Sequence, residues 1–330
     1  MLKILKFFWF SITITVVGLA TMYLYGGTAA LLTAVLLTIL EVTLSFDNAV
    51  VNAKVLKKMN ALWQRRFLSW GILIAVFGTR FLLPIFIVSI IVWASPWAIT
   101  QLAIFDPVHY GELLHEAGYA IHSFGAAFLI MVSLKYFLDA EKEVHWIHAL
   151  EKHLTLWGRI EAVEIALALI CIAGVSFFVP AVAQATVLMG GIIGVVLFIA
   201  MEGITSAFSI EAKDAATASL ALFMYLEVLD AAFSLDGVIG AFALTSSIPI
   251  IAVGLGIGAF FVRSLTVYMV RERTLDTLKF LEHGAHWAIF GLAISMFASL
   301  LTEVPEIVTG TIGIAFVAAA YWSSVISHRA

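Results

Sequence analysis

Two apolar stretches of the chain carry the same acidic signature. The first is LEVTLSFDNAV at residues 40–50, and the second is LDAAFSLDGVI at residues 229–239. Aligned without gaps, they share three polar positions: Glu41 with Asp230, Ser45 with Ser234, and Asp47 with Asp236. Because an ionised side chain is costly inside a membrane, acids kept within apolar helices indicate a functional site. The pattern predicts a cation site to which both stretches contribute.

Helical spacing extends each motif into a polar stripe, since residues three or four positions apart share one face of a helix. The stripes are Thr38, Glu41, Ser45 and Asn48 in the first copy, and Glu227, Asp230, Ser234 and Gly237 in the second. Asp47 and Asp236 lie about 100° away from their stripes, given about 3.6 residues per turn. Either the site is broad, or each helix is distorted at its motif.

The side chains of the stripes are mostly oxygen ligands. The predicted metal ligands are Glu41, Asp47, Asn48, Glu227, Asp230 and Asp236, with Thr38, Ser45, Ser234, Arg80 and Arg263 in supporting positions. Carboxylate, carbonyl and water oxygens suit Mn, Ca and Mg rather than Zn or Cu. The carboxylates exceed the charge of one divalent ion, and the two arginines can compensate. We expect Arg80 to pair with an acid of the site, Asp47 or Asp236 being favoured.

The composition is that of a membrane protein. Hydrophobic residues make up 62% of the 330 positions and charged residues 12%, against about 25% charged residues in soluble domains. The single cysteine, Cys171, excludes an internal disulfide. Ten apolar segments have the length of a membrane-spanning helix: residues 5–25, 29–53, 67–95, 117–138, 161–180, 186–204, 217–245, 249–270, 284–302 and 307–326. We therefore predict an all-α, polytopic membrane bundle of about ten transmembrane helices.

The basic residues orient this bundle. Of the 18 Lys and Arg residues, all but Arg80 and Arg263 fall on the N-terminal side of the membrane in the ten-span arrangement. The positive-inside rule makes that side cytoplasmic. We predict a multi-pass protein of the cell inner (plasma) membrane with both termini in the cytoplasm. The first span follows Lys3 and Lys6 as a signal peptide would, but its length and the absence of a clear small-residue cleavage site favour a retained helix.

The order of the spans places the two motifs on helices that run in opposite directions. This arrangement is typical of transporters with inverted-topology repeats, and in both halves the helix after the motif carries an arginine. The predicted organisation is an N-terminal transmembrane helix at 1–28, a first repeat at 29–138, a cytoplasmic connector with two linking helices at 139–216, and a second repeat at 217–330.

The sequences LEVTLSFDNAVV and LEVLDAAFSLDGVIGAFALT resemble the paired signatures of TerC-family integral membrane proteins, E-x-x-L-S-x-D-N and D-x-x-F-S-x-D. The resemblance covers residues 30–138 and 217–326. It implies manganese efflux, metal supply to exported proteins or tellurium resistance. It also implies metal-binding roles for Glu41, Asp47, Asn48, Asp230 and Asp236. Gly237 stands where many members have Ser, and Glu227 is added from the stripe alone.

The favoured function is outward transport of Mn(II), with Ca and Mg as alternative ions, no organic cofactor and no enzymatic activity. The expected partners are a divalent cation and the lipid bilayer, not nucleic acid; a homo-oligomer and other membrane-protein partners stay open. The alternatives are an intramembrane metalloenzyme and a scaffold for metalation or insertion of exported proteins. His145 and His148 lie one turn apart in EKEVHWIHALEKH and could bind metal, but a solvated connector is favoured.

Overall fold

The computed structural model describes residues 2–71, 73–160, 162–211, 215–302 and 304–329. Within these ranges every regular element is a helix, so the all-α prediction is confirmed. Each of the ten predicted spans falls on helix. Ile72 and Glu161, inside the third and fifth predicted spans, lie outside the described residues.

The helices follow one another along the chain with short connections. The first group is α1 (Leu2–Leu44), α2 (Phe46–Leu56), α3 (Ala61–Arg66), the π-helices π1 (Phe67–Gly71) and π2 (Ile74–Leu82), α4 (Leu83–Ile91), α5 (Pro96–Phe105), α6 (Pro107–Glu116) and α7 (Gly118–Phe137). The second group is α8 (His148–Trp157), α9 (Val163–Ser176), α10 (Ala181–Glu211), α11 (Ala215–Leu244), α12 (Ile248–Arg271), α13 (Thr274–Thr277), α14 (Leu281–Ser299) and α15 (Glu306–Arg329).

The chain forms two compact units. The first unit comprises residues 1–118 and 213–272, and the second unit comprises residues 119–212 and 273–330. Both motifs belong to the first unit, although they are far apart in sequence.

In the described part of the chain, seven helical segments are long and apolar enough to cross a membrane. They are Phe7–Leu44, Ile74–Ile91, Gly118–Phe137, Ala181–Ala207, Ala218–Leu244, Ile248–Arg271 and Ile307–Ser327. Helix α9, with 14 residues, is shorter than a span requires. The chain therefore has the helices of a membrane protein, whereas the exact number of ten crossings stays a prediction.

The first of these segments consists of two arms. A straight helix of 38 residues would be about 57 Å long, but the backbone leaves the helical region at Gly26 and Gly27. Gly27 has φ 67° and ψ −152°, a combination that is essentially confined to glycine. The predicted gap between the first two spans lies at this break.

The two arms run in opposite directions along α12. In the first arm, the Ser11 hydroxyl donates to the carbonyl of Phe260, and a methyl group on Gly18 would lie 3.1 Å from Val253. In the second arm, the Thr38 hydroxyl donates to the Gly254 carbonyl at 3.1 Å. A methyl group on Gly258 would lie 2.5 Å from Glu41 Cβ. The residue numbers of the α12 partners decrease along the first arm and increase along the second arm, so the two arms are antiparallel.

Side-chain caps define where several helices of the first unit begin. Asn60 accepts a hydrogen bond from the backbone N–H of Trp63 at the start of α3. Ser95 and Asp106 cap α5 and α6 in the same way, and each is followed by a proline in the first turn. Such residues satisfy N–H groups that lack a partner within the helix.

The second unit is held together by close helix pairs. Gly194 of α10 packs against the backbone of Phe124 in α7, and Gly284 of α14 lies against Phe316 and Ala320 of α15. Small residues permit such close approach between membrane helices. Phe128 and Phe198 add an edge-to-face contact between α7 and α10.

Candidate metal site

The two motifs differ in their backbone. The first motif is interrupted, because α1 ends at Leu44 and α2 begins at Phe46, with Ser45 between them at φ −104° and ψ 11°. The second motif lies entirely within α11. The sequence allowed either a broad site or a distorted helix at each motif. The structure shows a distorted helix at the first motif and a regular helix at the second.

The two motif helices run antiparallel, as two contacts between them show. The Asn48 side-chain amide donates to Asp230 Oδ1 at 2.7 Å. A methyl group on Gly237 would lie 3.3 Å from Glu41 Oε2. In the alignment Glu41 corresponds to Asp230, and Asn48 corresponds to Gly237. One contact joins Asn48 of the first copy to Asp230 of the second, and the other joins Glu41 of the first copy to Gly237 of the second. Both contacts therefore link the same two aligned positions, with the roles of the two copies exchanged.

The motif serines repeat this correspondence. The Ser45 hydroxyl donates to Glu41 Oε1 at 2.9 Å. Ser234 occupies the equivalent position in the second copy, four residues after Asp230.

Arg80 forms an ion pair with Glu41. The guanidinium contacts Glu41 Oε1 and also donates to the carbonyl of Ala75, and both charged side chains are almost fully buried. The expectation that Arg80 pairs with an acid of the site is confirmed. The favoured partner was wrong, because Arg80 pairs with Glu41 of the first polar stripe rather than with Asp47 or Asp236.

The position of Arg80 depends on an unusual backbone. Residues Ile74–Leu82 form a π-helix, whose wider turns are rare and often occur at functional sites. Ala75 lies five residues before Arg80, and its carbonyl accepts from both the guanidinium and the Thr79 hydroxyl. The sequence alone gave no signal for this element.

A small cavity of about 40 Å³ lies beside Arg80 in the first unit. Its polar lining consists of Asn52, Arg80, Glu227, Asp230, Arg263 and Thr266. A water-sized body needs about 10–15 Å³ of such volume, so the cavity has room for an ion or a few water molecules.

Several buried oxygens at this cavity receive no hydrogen bond from the residues that the structure describes. They are both oxygens of Glu227, Oδ2 of Asp230 and Oδ1 of Asn52, on side chains that are 5–9% exposed. Burying polar atoms without a partner is costly, and such atoms in a native protein call for an explanation. These oxygens can accept hydrogen bonds or coordinate a cation.

The remaining predicted residues lie in other surroundings. Asp47 is buried and accepts a hydrogen bond from the Asn48 backbone, and Asp236 is buried without lining the cavity. The Thr38 hydroxyl bonds backbone carbonyls. Arg263 lines the cavity and donates to the Leu68 carbonyl.

The predicted ligands therefore do not form one cluster. Among the residues that the structure describes, no group of three His, Cys, Asp or Glu side chains is arranged to hold a metal ion. Glu227 and Asp230 share the cavity, Glu41 is engaged by Arg80, and Asp47 and Asp236 do not belong to the cavity lining.

Asn52 is a cavity residue that the sequence interpretation missed. It follows Asn48 by four positions, so the first stripe extends one turn further than the motif. Gly71 is a second such residue, since a methyl group there would lie 2.7 Å from Glu227 Oε1. Periodicity could have found Asn52 but not Gly71.

A second polar cluster, which we call the Glu151 cluster, lies in the second unit. Glu151 is completely buried, and its carboxylate has partners from distant parts of the chain: Lys142 Nζ at 3.1 Å, the Trp146 backbone N–H at 3.1 Å, the Ile147 backbone N–H at 3.3 Å, His283 Nδ1 at 2.8 Å and Trp287 Nε1 at 3.0 Å. The segment favoured as a solvated connector thus contains a buried anchor.

The Glu151 cluster is electrostatically balanced. Burial alone would raise the pKa of the Glu151 carboxyl, but hydrogen bonds from His283 and Trp287 and the charge of Lys142 hold that pKa well below its usual value. Burial and the nearby Lys142 charge lower the pKa of His145. Lys142 also lies over the Tyr136 ring, 4.0 Å from its centre. These contacts explain the cluster as a structural tie between α8 and α14.

The chain matches a protein family over most of its length. The family description is "Protein of unknown function (DUF475)", and the match covers residues 46–330. It begins inside the first motif and extends across the predicted connector. Searches of curated proteins and of solved structures gave no match. The chain belongs to the DUF475 family.

Proposed function

We propose that this protein is an inner-membrane transporter of a divalent cation, with Mn(II) efflux as the favoured activity. The observation that carries the proposal is the pair Glu227 and Asp230. Both are buried in an apolar helix, face one cavity and hold oxygens to which the protein gives no partner. An ionisable residue in a membrane helix is by default a functional-site hypothesis.

The contacts between the motifs support an inverted repeat. Antiparallel helices that exchange equivalent pairs, Glu41 with Gly237 and Asn48 with Asp230, are what a two-fold axis in the membrane plane would produce. The proposal keeps ten transmembrane helices with both termini in the cytoplasm. The two antiparallel arms of α1 are consistent with the first two of those crossings.

The donor set favours a hard cation. Carboxylate and carbonyl oxygens are the ligands that Mn, Mg and Ca prefer, and the resemblance of the motifs to the TerC family favours manganese among them. Ca and Mg remain the alternative ions. Arg80 is already compensated by Glu41, so the net charge at the cavity comes from Glu227, Asp230 and Arg263.

A flux assay tests the proposal. Purified protein is reconstituted into liposomes that contain a manganese-sensitive dye, and Mn(II) is added outside. We expect a protein-dependent signal that Asp230→Asn abolishes and that Glu112→Gln leaves intact, because Glu112 is an exposed carboxylate of α6. The proposal fails if the wild-type protein moves no Mn(II), Ca or Mg, as a metalloenzyme or a scaffold for exported proteins would behave.

A further inference from the structure

We propose that Asn52, together with Glu227 and Asp230, binds the transported cation. The absence of a side chain at Gly71 leaves space for this binding site. The inference rests on the proposed function and deepens it. Asn52 belongs to neither acidic motif, so this assignment moves the cation away from most of the motif acids.

The first argument is which oxygens are free to bind. Glu41 Oε1 receives both the Arg80 guanidinium and the Ser45 hydroxyl. Asp230 Oδ1 receives the Asn48 amide. The unengaged oxygens that line the cavity are Asp230 Oδ2, both oxygens of Glu227 and Asn52 Oδ1. A cation placed there would coordinate atoms that otherwise lack a partner.

The second argument is charge. Glu227 and Asp230 bring two negative charges to the cavity and Arg263 brings one positive charge, so the lining is negative overall, and the Asn52 carbonyl adds a dipole without adding charge. Buried charges are tolerated when they are paired or coordinate a metal. A lining that is negative overall and offers an amide oxygen therefore favours a bound cation.

The third argument is size. The cavity of about 40 Å³ has room for about three bodies of water size, since each needs roughly 10–15 Å³ of such volume. A cation would therefore keep only one or a few of its waters, and protein oxygens must replace the others. Hard cations of this kind take about six to eight oxygen ligands in all. The Asn52 carbonyl would supply one of the ligands that replace the lost waters.

The fourth argument is Gly71. A methyl group at this position would lie 2.7 Å from Glu227 Oε1 and 3.2 Å from the Phe67 ring. Any larger residue would press on the carboxylate that the cavity exposes. Glycine at the end of π1 thus leaves Glu227 room to turn toward a cation.

The test is calorimetric titration of the purified, detergent-solubilised full chain with Mn(II) alone. Asn52→Leu keeps the shape of the side chain and removes its oxygen. We expect its affinity to fall by about tenfold or more, since even loss of an outer-shell partner costs about 10–100-fold. Asn52→Asp should bind Mn(II) more tightly than the wild type. Gly71→Ala should lose binding.

Two control variants match these changes. Thr43→Val is a polar-to-apolar change at the end of α1, before the α2 helix that carries Asn52, and the Thr43 hydroxyl donates to the Leu40 carbonyl. Gly256→Ala adds a methyl group 3.9 Å from Val76, an ordinary contact. Both should bind Mn(II) as the wild type does, and thermal unfolding in detergent verifies that every variant is folded.

The outcomes separate the two proposals. If the wild type binds Mn(II), Asp230→Asn does not, and Asn52→Leu is unchanged, the role of Asn52 is wrong while the transport proposal stands. If Asn52→Leu does not fold, a reduced or unchanged affinity of Asn52→Asp overturns the inference instead. If the wild type binds no divalent cation, both proposals fail.

Discussion

Glu151 of the second unit and Glu227 of the first unit are both buried carboxylates, yet their surroundings are opposite. Glu151 accepts hydrogen bonds from two backbone N–H groups and from Trp287, and it lies against Lys142 and His283. Neither oxygen of Glu227 has a hydrogen-bond partner among the described residues. A carboxylate whose oxygens are all engaged stabilises the fold, whereas one whose oxygens face a cavity without partners is available to a ligand.

The largest expected effect is on Glu151. Glu151→Ala leaves Lys142 buried without its carboxylate, and breaking such a buried pair costs about 3–5 kcal/mol. We expect a correspondingly lower thermal unfolding temperature in detergent. Mn(II) affinity, measured on the folded variant below its transition, should be unchanged. Loss of Mn(II) binding in a folded Glu151→Ala protein would contradict the separation of structural and binding roles.

Acid should reproduce part of that effect. Because the pKa of Glu151 is held below its usual value in the folded protein, its ionisation stabilises the fold above the unfolded value of about 4.5. That contribution is lost as the pH falls from about 4.5 toward the folded pKa. Unfolding free energy measured from pH 7 to pH 3 should fall less steeply in Glu151→Gln than in the wild type. Parallel curves for the two proteins would contradict this prediction.

Two glycines of α12 test how tightly the helices pack around the Arg80–Glu41 ion pair of the first unit. Gly258→Ala places a methyl group against Glu41, and overpacking of this kind costs about 1–3 kcal/mol. Gly256→Ala on the same helix meets only Val76 at 3.9 Å and should leave stability unchanged or slightly higher. Equal unfolding temperatures for the two variants would show that Glu41 yields without cost.

The smallest expected change in stability is at Glu227. Glu227→Gln removes a carboxylate that has no partner to lose, so the free energy of unfolding should change by less than about 1 kcal/mol or rise. Mn(II) binding should fall strongly in the same variant. A clear destabilisation by Glu227→Gln, measured beside Glu151→Gln, would mean that Glu227 also has a structural role.

These features differ in how far the sequence predicts them. The apolar segments predicted the helices, since hydrophobic length is a local property. The paired motifs predicted that Glu41 and Asp230 lie on antiparallel helices, and the depth of Arg80 in its span predicted an acidic partner. The identity of that partner depends on the π-helix, for which no periodic signal exists.

The Glu151 cluster marks the limit of sequence reasoning. His283 and Trp287 lie more than 130 positions from Glu151, and nothing in their spacing links them to the connector. The break at Ser45 is equally hidden, because the second motif has the same serine inside a continuous helix. Such features depend on tertiary packing rather than on local pattern.

The most direct test of the central claim is anomalous X-ray scattering at the manganese absorption edge from crystals of the protein grown with Mn(II). We expect one strong peak in the cavity, at about 2.0–2.6 Å from carboxylate oxygens of Glu227 and Asp230, and none at the Glu151 cluster. A peak at His145 and His148, or no peak in the cavity at saturating Mn(II), would contradict the account.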